Sequence, residues 1–269
     1  MRYIKEFYRF LRHIAQSREL LLTLILNDFK KNYLGSYLGI AWAFLEPVSF
    51  IIIIWLVFTF GFRSAPHGDV PYFLWLSTGM IPWFFFSDAL SRATASVVNN
   101  SFLVKKVSFR VSILPIVSIG SALIIHLGLV LFLMLFYILY GFSPSIYWFQ
   151  LPYYIVVTAL LVLGISWITS AAQVFIKDTG HAISILLQLG FWATPIFWDM
   201  QMVPQKYQWI VKLNPAYYIV EGYRDTFIHH RWFWEKPYET LYFLGLTTFF
   251  CIVGAILFRR VRPHFGDVL

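Results

Sequence analysis

The sequence NDFKKNYLGSYLGIAWAFLEP, Asn27 to Pro47, passes within a few residues from charged to apolar and then carries a carboxylate, Glu46, onward. Lys30 and Lys31 stand beside Tyr33 where this change occurs. Ammonium groups attract phosphate as point charges, and at such a place they also anchor a helix end among anionic headgroups. Glu46 falls about 18 Å into a helical span beginning at residue 34, at 1.5 Å per residue. A carboxylate inside an apolar span is costly unless paired, hydrated or protonated. Glu46 is therefore read equally as cavity lining and as a structural pair, and Asp88, in the next apolar stretch, more as a structural group.

Aromatic residues make up 20% of the chain. Their faces pack well against the axial C–H edges of sugar rings, and Tyr37, Trp42, Trp83 and Phe84, together with Glu46, are the candidate lining of a channel. Trp148, Phe149, Trp232 and Trp234 read instead as interfacial belt residues. Gly35 and Gly39 form a small-xxx-small pair on one helical face, which permits close backbone approach. The stretch NNSFLVKKVSFRVSILP, 99–115, mixes apolar and basic residues in a way that a plain turn does not need. Phe102, Leu103, Lys105, Lys106 and Phe109 suit a short helix that docks in a partner's groove.

No GxxxxGK[ST], HExxH, CxxC or GxSxG pattern is present, so ATP hydrolysis and a metal site are not expected in this chain. His229 and His230 are adjacent without a carboxylate or cysteine at ligand spacing. The single cysteine, Cys251, lies in the last apolar run and leaves no intrachain disulfide.

The elements that must position these residues are membrane helices. The chain has 269 residues, 59% hydrophobic and 13% charged, with mean hydropathy +0.68. Soluble domains are nearer half apolar and a quarter charged. The net charge of +8 suits an anionic membrane face and, beside this hydropathy, not nucleic acid. Six stretches reach the roughly 20 apolar residues of a span: 34–61, 72–98, 113–140, 150–175, 181–198 and 239–259. Before them, residues 1–33 form an interfacial segment in which Ile4, Phe7, Leu11 and Ile14 share one helical face and basic residues the other. The opening residues lack the continuous apolar core and small-residue cleavage site of a signal peptide. The aromatic, Pro-punctuated segment between the fifth and sixth stretches reads as short re-entrant helices. The fold class is thus an all-α integral membrane protein, with residues 34–269 as one six-span domain. Lysines and arginines divide fifteen against six between its two sides, which puts both termini in the cytoplasm.

The chain resembles the permease subunits of ABC-2-type exporters of lipid-linked polysaccharide, a group that includes O-antigen, capsule and teichoic-acid permeases. Asp28, Lys30, Tyr33, Leu38, Gly39, Trp42 and Pro47 match the family's opening pattern. LVKKVSFRVSILP is similar to its coupling loop, FIKDT to its second cytoplasmic loop, and TPIFW followed by LNPAYYIVEGYR to its outer gate region. Asn27, Asn32, Glu46 and Arg110 depart from the common pattern. The resemblance implies a homodimer in the bacterial cytoplasmic membrane, with ATP and magnesium held by two separate nucleotide-binding subunits and no cofactor in this chain. It implies an undecaprenyl-diphosphate-linked glycan that meets Lys30, Lys31 and Tyr33, with the teichoic-acid branch slightly closer than O-antigen. Two other readings were weighed. A proton-coupled secondary transporter normally shows internal repeats, and none is found. A membrane glycosyltransferase needs an acidic metal-binding loop, and none is evident.

Overall fold

The computed structural model describes residues 18–33, 37–63, 69–104 and 110–269. Residues 1–17, with the expected amphipathic face, lie outside the described residues, as do Gly35, Lys105, Lys106 and Phe109. Among the described residues the chain is predominantly helical and contains no strand. The main helices are α1 (Arg18–Tyr33), α2 (Ala41–Leu56), α3 (Tyr72–Asn99), α4 (Leu114–Leu139), α5 (Leu151–Phe175), α6 (Thr179–Ala193), α7 (Pro215–Arg224) and α8 (Pro237–Val261). Proline stands in the first turn of α4, α5, α7 and α8, where its missing N–H has no intrahelical partner to lose and its fixed φ suits the helix.

The long helices run between two ends of the bundle. One end is marked by a cluster of Val97, Leu114, Val174, Phe258 and Phe265, which gathers the end of α3, the start of α4, the ends of α5 and α8 and the C-terminal turn. Beside it the apolar side of α1, through Leu21 and Ile25, rests on Ile113, Val117 and Gly120 at the start of α4. The opposite end holds the start of α3, tied by Tyr72 Oη donating to Phe197 O at 2.9 Å, and the start of α8, tied by Lys212 to Glu239 at 3.1 Å.

Four helical stretches are long and apolar enough to cross a bilayer: Ala41–Gly61, Val111–Leu139, Ile146–Phe175 and Pro237–Val268. α3 and α6 fall outside that pattern for separate reasons. α3, at 28 residues, is long enough, but polar groups such as Ser77, Thr78 and Thr94 dilute its hydropathy. It is the central helix, buried on nearly every face by its neighbours, so protein rather than lipid solvates it. Thr78 bonds Tyr137 of α4 at 2.9 Å and Thr94 bonds Thr169 of α5 at 2.7 Å. α6 is only 15 residues long, about 22 Å, and the expected stretch to residue 198 breaks at Thr194.

The first pass starts later than expected. Gly39 lies in a turn at φ +52, a left-handed conformation that glycine adopts without a Cβ clash, and the helix begins at Ala41. Gly39 is thus a turn residue rather than a helix-packing one, and Glu46, in the second turn of α2, stays well within the length of the bundle: Phe44 beside it rests against Gly128, midway along α4. The close backbone contact is elsewhere. A Cβ on Gly164 would lie 2.6 Å from the backbone nitrogen of Cys251, and one on Gly254 would lie 2.3 Å from the carbonyl oxygen of Gly164. α5 and α8 touch backbone to backbone there.

This contact sets a test of the bundle. Gly164→Val should destabilise the purified protein by about 2 kcal/mol or more, because the listless alternative of side-chain rearrangement is closed when the clash is with backbone. Gly245→Val, on the open side of α8 with nothing within 4 Å, should leave the melting temperature almost unchanged in the same assay.

Candidate functional site

α2 and α6 are the least covered of the passes, and they lie next to one another over α3. Phe50 of α2 meets Phe191 of α6 at 5.9 Å between ring centres and Phe84 of α3 at 6.1 Å. On α2 Trp42, Glu46 and Ser49 form an exposed stripe in the first turns, beside exposed Leu45; on α6 His181, Ser184, Gln188 and Trp192 form another, beside the equally exposed Ile185 and Leu189. Both follow the i, i+3/i+4, i+7 spacing of one helical face. The open side of α8 is different in kind: Leu241, Phe249, Ile252 and Ile256 are suited to hydrocarbon. An exposed face that sets indoles and aliphatic side chains beside a carboxylate, hydroxyls and an amide offers partners that a ring-bearing polar guest can use and hydrocarbon cannot.

Of the five residues expected to line a channel, Trp42 and Glu46 lie on the α2 stripe and Tyr37 is exposed in the turn before it. Tyr37, in the turn before α2, is fully exposed, Trp42 is half exposed, and Glu46 is exposed with no hydrogen bond to it among the described residues. Phe84 is partly buried behind Phe50. Trp83 is buried, its ring tilted against Phe86 and Phe191, with its indole against Gly190 of α6. Asp88 takes the structural role, accepting from Arg92 Nε at 2.7 Å one turn away. Sequence reasoning missed Gln188 and Trp192. Their spacing with His181 and Ser184 was legible, but that pattern alone does not say which face of a short apolar helix is left uncovered.

The break after α6 is held by a second set of residues. Thr194 Oγ1 donates back to Gly190 O, at the end of α6, and accepts from Asn214 Nδ2 at 2.8 Å. Asn214 also caps α7, its Oδ1 accepting from Ala216 N. Pro195 O and Ile196 O, which belong to no helix, receive Arg224 Nη1 at 2.7 Å and Nη2 at 2.8 Å. The Arg224 guanidinium also donates to Glu221 at 2.8 Å and sits 3.7 Å from the centre of the Trp75 ring. The motifs TPIFW and LNPAYYIVEGYR thus meet in space. Arg224, counted by sequence among the charges of one surface, is 2% exposed and belongs to the interior.

α7 is pinned on its other sides as well. Tyr223 bonds His126 of α4 at 2.7 Å, and Tyr218 bonds Tyr153 of α5 and Thr240 of α8, each at 3.0 Å. Beyond α7, buried Asp225 pairs with Lys236. Burial raises the Asp225 carboxyl above its ordinary range, and the Lys236 ammonium acts against that rise. Among the described residues no three His, Cys, Asp or Glu side chains converge as metal ligands. His230 instead takes a left-handed backbone, with its ring near Tyr147. Of the expected belt residues, Phe149 and Trp234 are exposed, whereas Trp148 packs inward on Phe227.

Lys30 and Lys31 are exposed in the last turn of α1, where they also complement the helix dipole. Tyr33 ends that helix. In the one-turn helix Ser101–Val104, Phe102 is 60% exposed and Leu103 packs inward on the Val97 cluster.

These features are those of a membrane transport subunit, and residues 19–228 match the family pattern described as ABC-2 type transporter; the chain belongs to that family. It is similar along nearly its whole length to proteins named O-antigen export system permease protein RfbA. The one from Myxococcus xanthus is 29% identical over 96% of this chain and 98% of its own length. The one from Klebsiella pneumoniae is 27% identical over 93% and 95%. The polysialic acid transport protein KpsM of Escherichia coli is 26% identical over 76% and 79%.

Arg224→Gln should cost about 3 kcal/mol or more, since it strands Glu221 and two buried carbonyls. Arg224→Lys should recover little of this, because an ammonium cannot serve both carbonyls and the Trp75 face as a planar fork does. Thermal denaturation of the purified variants measures both.

Proposed function

We propose that this chain is the permease of an ATP-driven exporter of lipid-linked polysaccharide. The observation that carries the reading is the α2–α6 face, which sets indoles, a carboxylate, hydroxyls and an amide on a lightly covered side of the bundle. Two copies facing each other across it would enclose a conduit, with Tyr37, Trp42 and Glu46 on its wall and Phe84 and Trp83 supporting the wall from behind. In such a conduit indole faces carry sugar rings and exposed oxygens exchange hydrogen bonds with hydroxyls, so a chain of variable composition can slide. Family membership and relatives named for O-antigen export and polysialic acid transport support a polysaccharide cargo. Those names favour an O-antigen or capsular type over teichoic acid, and undecaprenyl diphosphate as its carrier follows from the family resemblance.

In this reading α3 and α6 cross the bilayer with the other four passes, and the short helices around α7 dip back from the outer face. α3 is then screened from lipid by its neighbours, and irregular backbone at 194–199 is tolerable because protein groups satisfy it. Both termini are cytoplasmic. Separate ATPase subunits bind ATP and magnesium below and dock on the loop that carries Phe102, Leu103, Lys105, Lys106 and Phe109. Phe102 is the contact that points outward, and Leu103 anchors the turn to the bundle. Lys30, Lys31 and Tyr33 receive the carrier phosphates.

Cysteine at Tyr37, Trp42 or Glu46 in a Cys251→Ala background should react with a polar thiol reagent in the assembled transporter, and cysteine at Trp83 should not. Protection at all three exposed positions, in resting and working transporter alike, would remove the conduit. Phe102→Ala with Phe109→Ala should uncouple ATP turnover from export while the melting temperature stays unchanged. Lys30→Gln with Lys31→Gln should raise the lipid-linked glycan concentration needed to stimulate ATPase, with basal ATPase intact. A wild-type dependence in that variant would reduce the two lysines to headgroup anchors.

A further inference from the structure

Away from the α2–α6 face, α2, α3 and α4 enclose an empty space of about 200 Å3. Its walls include Val48 and Ile52 of α2, Ser77 and Ile81 of α3, and Phe132 and Leu133 of α4. Ser77 is the single polar residue among the lining side chains, and its hydroxyl already donates to Phe73 O at 2.7 Å. On one side of the space α2 and α4 are in contact, where Phe44 rests against Gly128. On the other side they are bridged by ring contacts from Trp55 to Phe73 and from Phe73 to Phe136. Between the two contacts the helices part.

Water gains nothing in this space, because it needs two to four polar partners and none is offered; apolar cavities of this kind stay dry and accept apolar guests. Left empty, the space deprives its walls of dispersion contacts. Ile52, at its edge, is 41% exposed, and it sits on one of two flanking helices that are long and apolar enough to cross a bilayer. The medium at that edge is then hydrocarbon. A flexible chain can enter between two helices where a bulky or charged ligand would find neither room nor partner.

We propose that an acyl chain of a bilayer phospholipid occupies this crevice and completes the packing of α2, which buries the smallest share of itself among the four apolar passes. The inference rests on α2 and α4 crossing a membrane and is independent of the exported cargo. Such a lipid holds in place the helix that carries Trp42 and Glu46, so the conduit wall is set partly by a molecule outside the chain.

The test uses the full chain in vesicles of phosphatidylethanolamine and phosphatidylglycerol with a small fraction of phospholipid bearing a photoactivatable diazirine on its acyl chain. After illumination, labelled residues are mapped by mass spectrometry. Ile81 and Leu133 are 0% and 1% exposed, so bulk lipid cannot touch them, and label there reports a chain inside the crevice. Ser77→Phe, which fills the space from its base, should abolish that label while label at the open residues Leu241 and Ile252 persists. Val48→Trp fills it from the facing wall and serves if the first variant does not fold. Label confined to open residues in the wild type, as when a second copy covers the crevice, would overturn the proposal. So would undiminished label at Ile81 and Leu133 in a filled variant. Loss of that label on adding unlabelled polyprenyl phosphate, at a fraction where added phospholipid has no effect, would assign the crevice to an isoprenoid chain and overturn the phospholipid. Absence of label at Leu241 and Ile252 as well would overturn the membrane placement itself, a result distinct from failure of the export reading.

Discussion

One guanidinium holds the far end of this bundle together. Between Ala193 and the short helices before α7 the chain has left the α-helix inside a protein interior, and its carbonyls have no ladder to join. An unsatisfied buried carbonyl costs on the order of 1–3 kcal/mol. Arg224 meets two of them with one rigid fork, places its charge over the Trp75 ring, and is balanced by Glu221. The position of α7, the end of α6 and the start of α3 all follow from that arrangement. Because α6 carries half of the exposed polar face, the same guanidinium fixes how that face meets α2.

α3 poses the complementary problem. A helix surrounded by other helices does not need to be as apolar as one that faces lipid, and it gains from polar contacts that choose its neighbours. Thr78 with Tyr137 and Thr94 with Thr169 tie it to α4 and α5, with each hydroxyl also donating to a carbonyl one turn back. Such bonds add modestly to association in membranes, but they define register, which greasy packing alone does not. α8 sits at the other extreme. It holds to α5 along a single seam, closest at Gly164 and Gly254, and leaves the rest of its surface apolar.

The functional face results from this division. Helices packed on several sides have no surface left for a guest, and α8 has surface only for lipid. α2 and α6 alone combine light packing with aromatic and polar stripes, and the Phe50–Phe191 contact makes them one surface. The apolar crevice behind α2 belongs to the same economy of packing: the helix is free on its working side and underfilled on its other side.

The sequence by itself determined the class of protein, four apolar stretches long enough to cross a bilayer and the family, because these depend on composition, period and local motifs. It also singled out Tyr37, Trp42, Glu46 and Phe102 as candidates, which the structure leaves exposed, and Asp88 more as a structural group, which the structure pairs with Arg92. Tertiary structure decided the rest. Trp83 and Trp192 are both indoles in apolar segments, and only the packing of α6 on α3 makes one a buried support and the other an open surface. Gly39 resembles a helix-packing glycine until its positive φ shows a turn, whereas the glycines that do bring backbones together, Gly164 and Gly254, are far apart in the chain. Arg224 looked like a surface charge because a positive residue is ordinarily solvated. Its burial rests on two carbonyls supplied from almost thirty residues earlier in the chain, a pairing that no local pattern encodes.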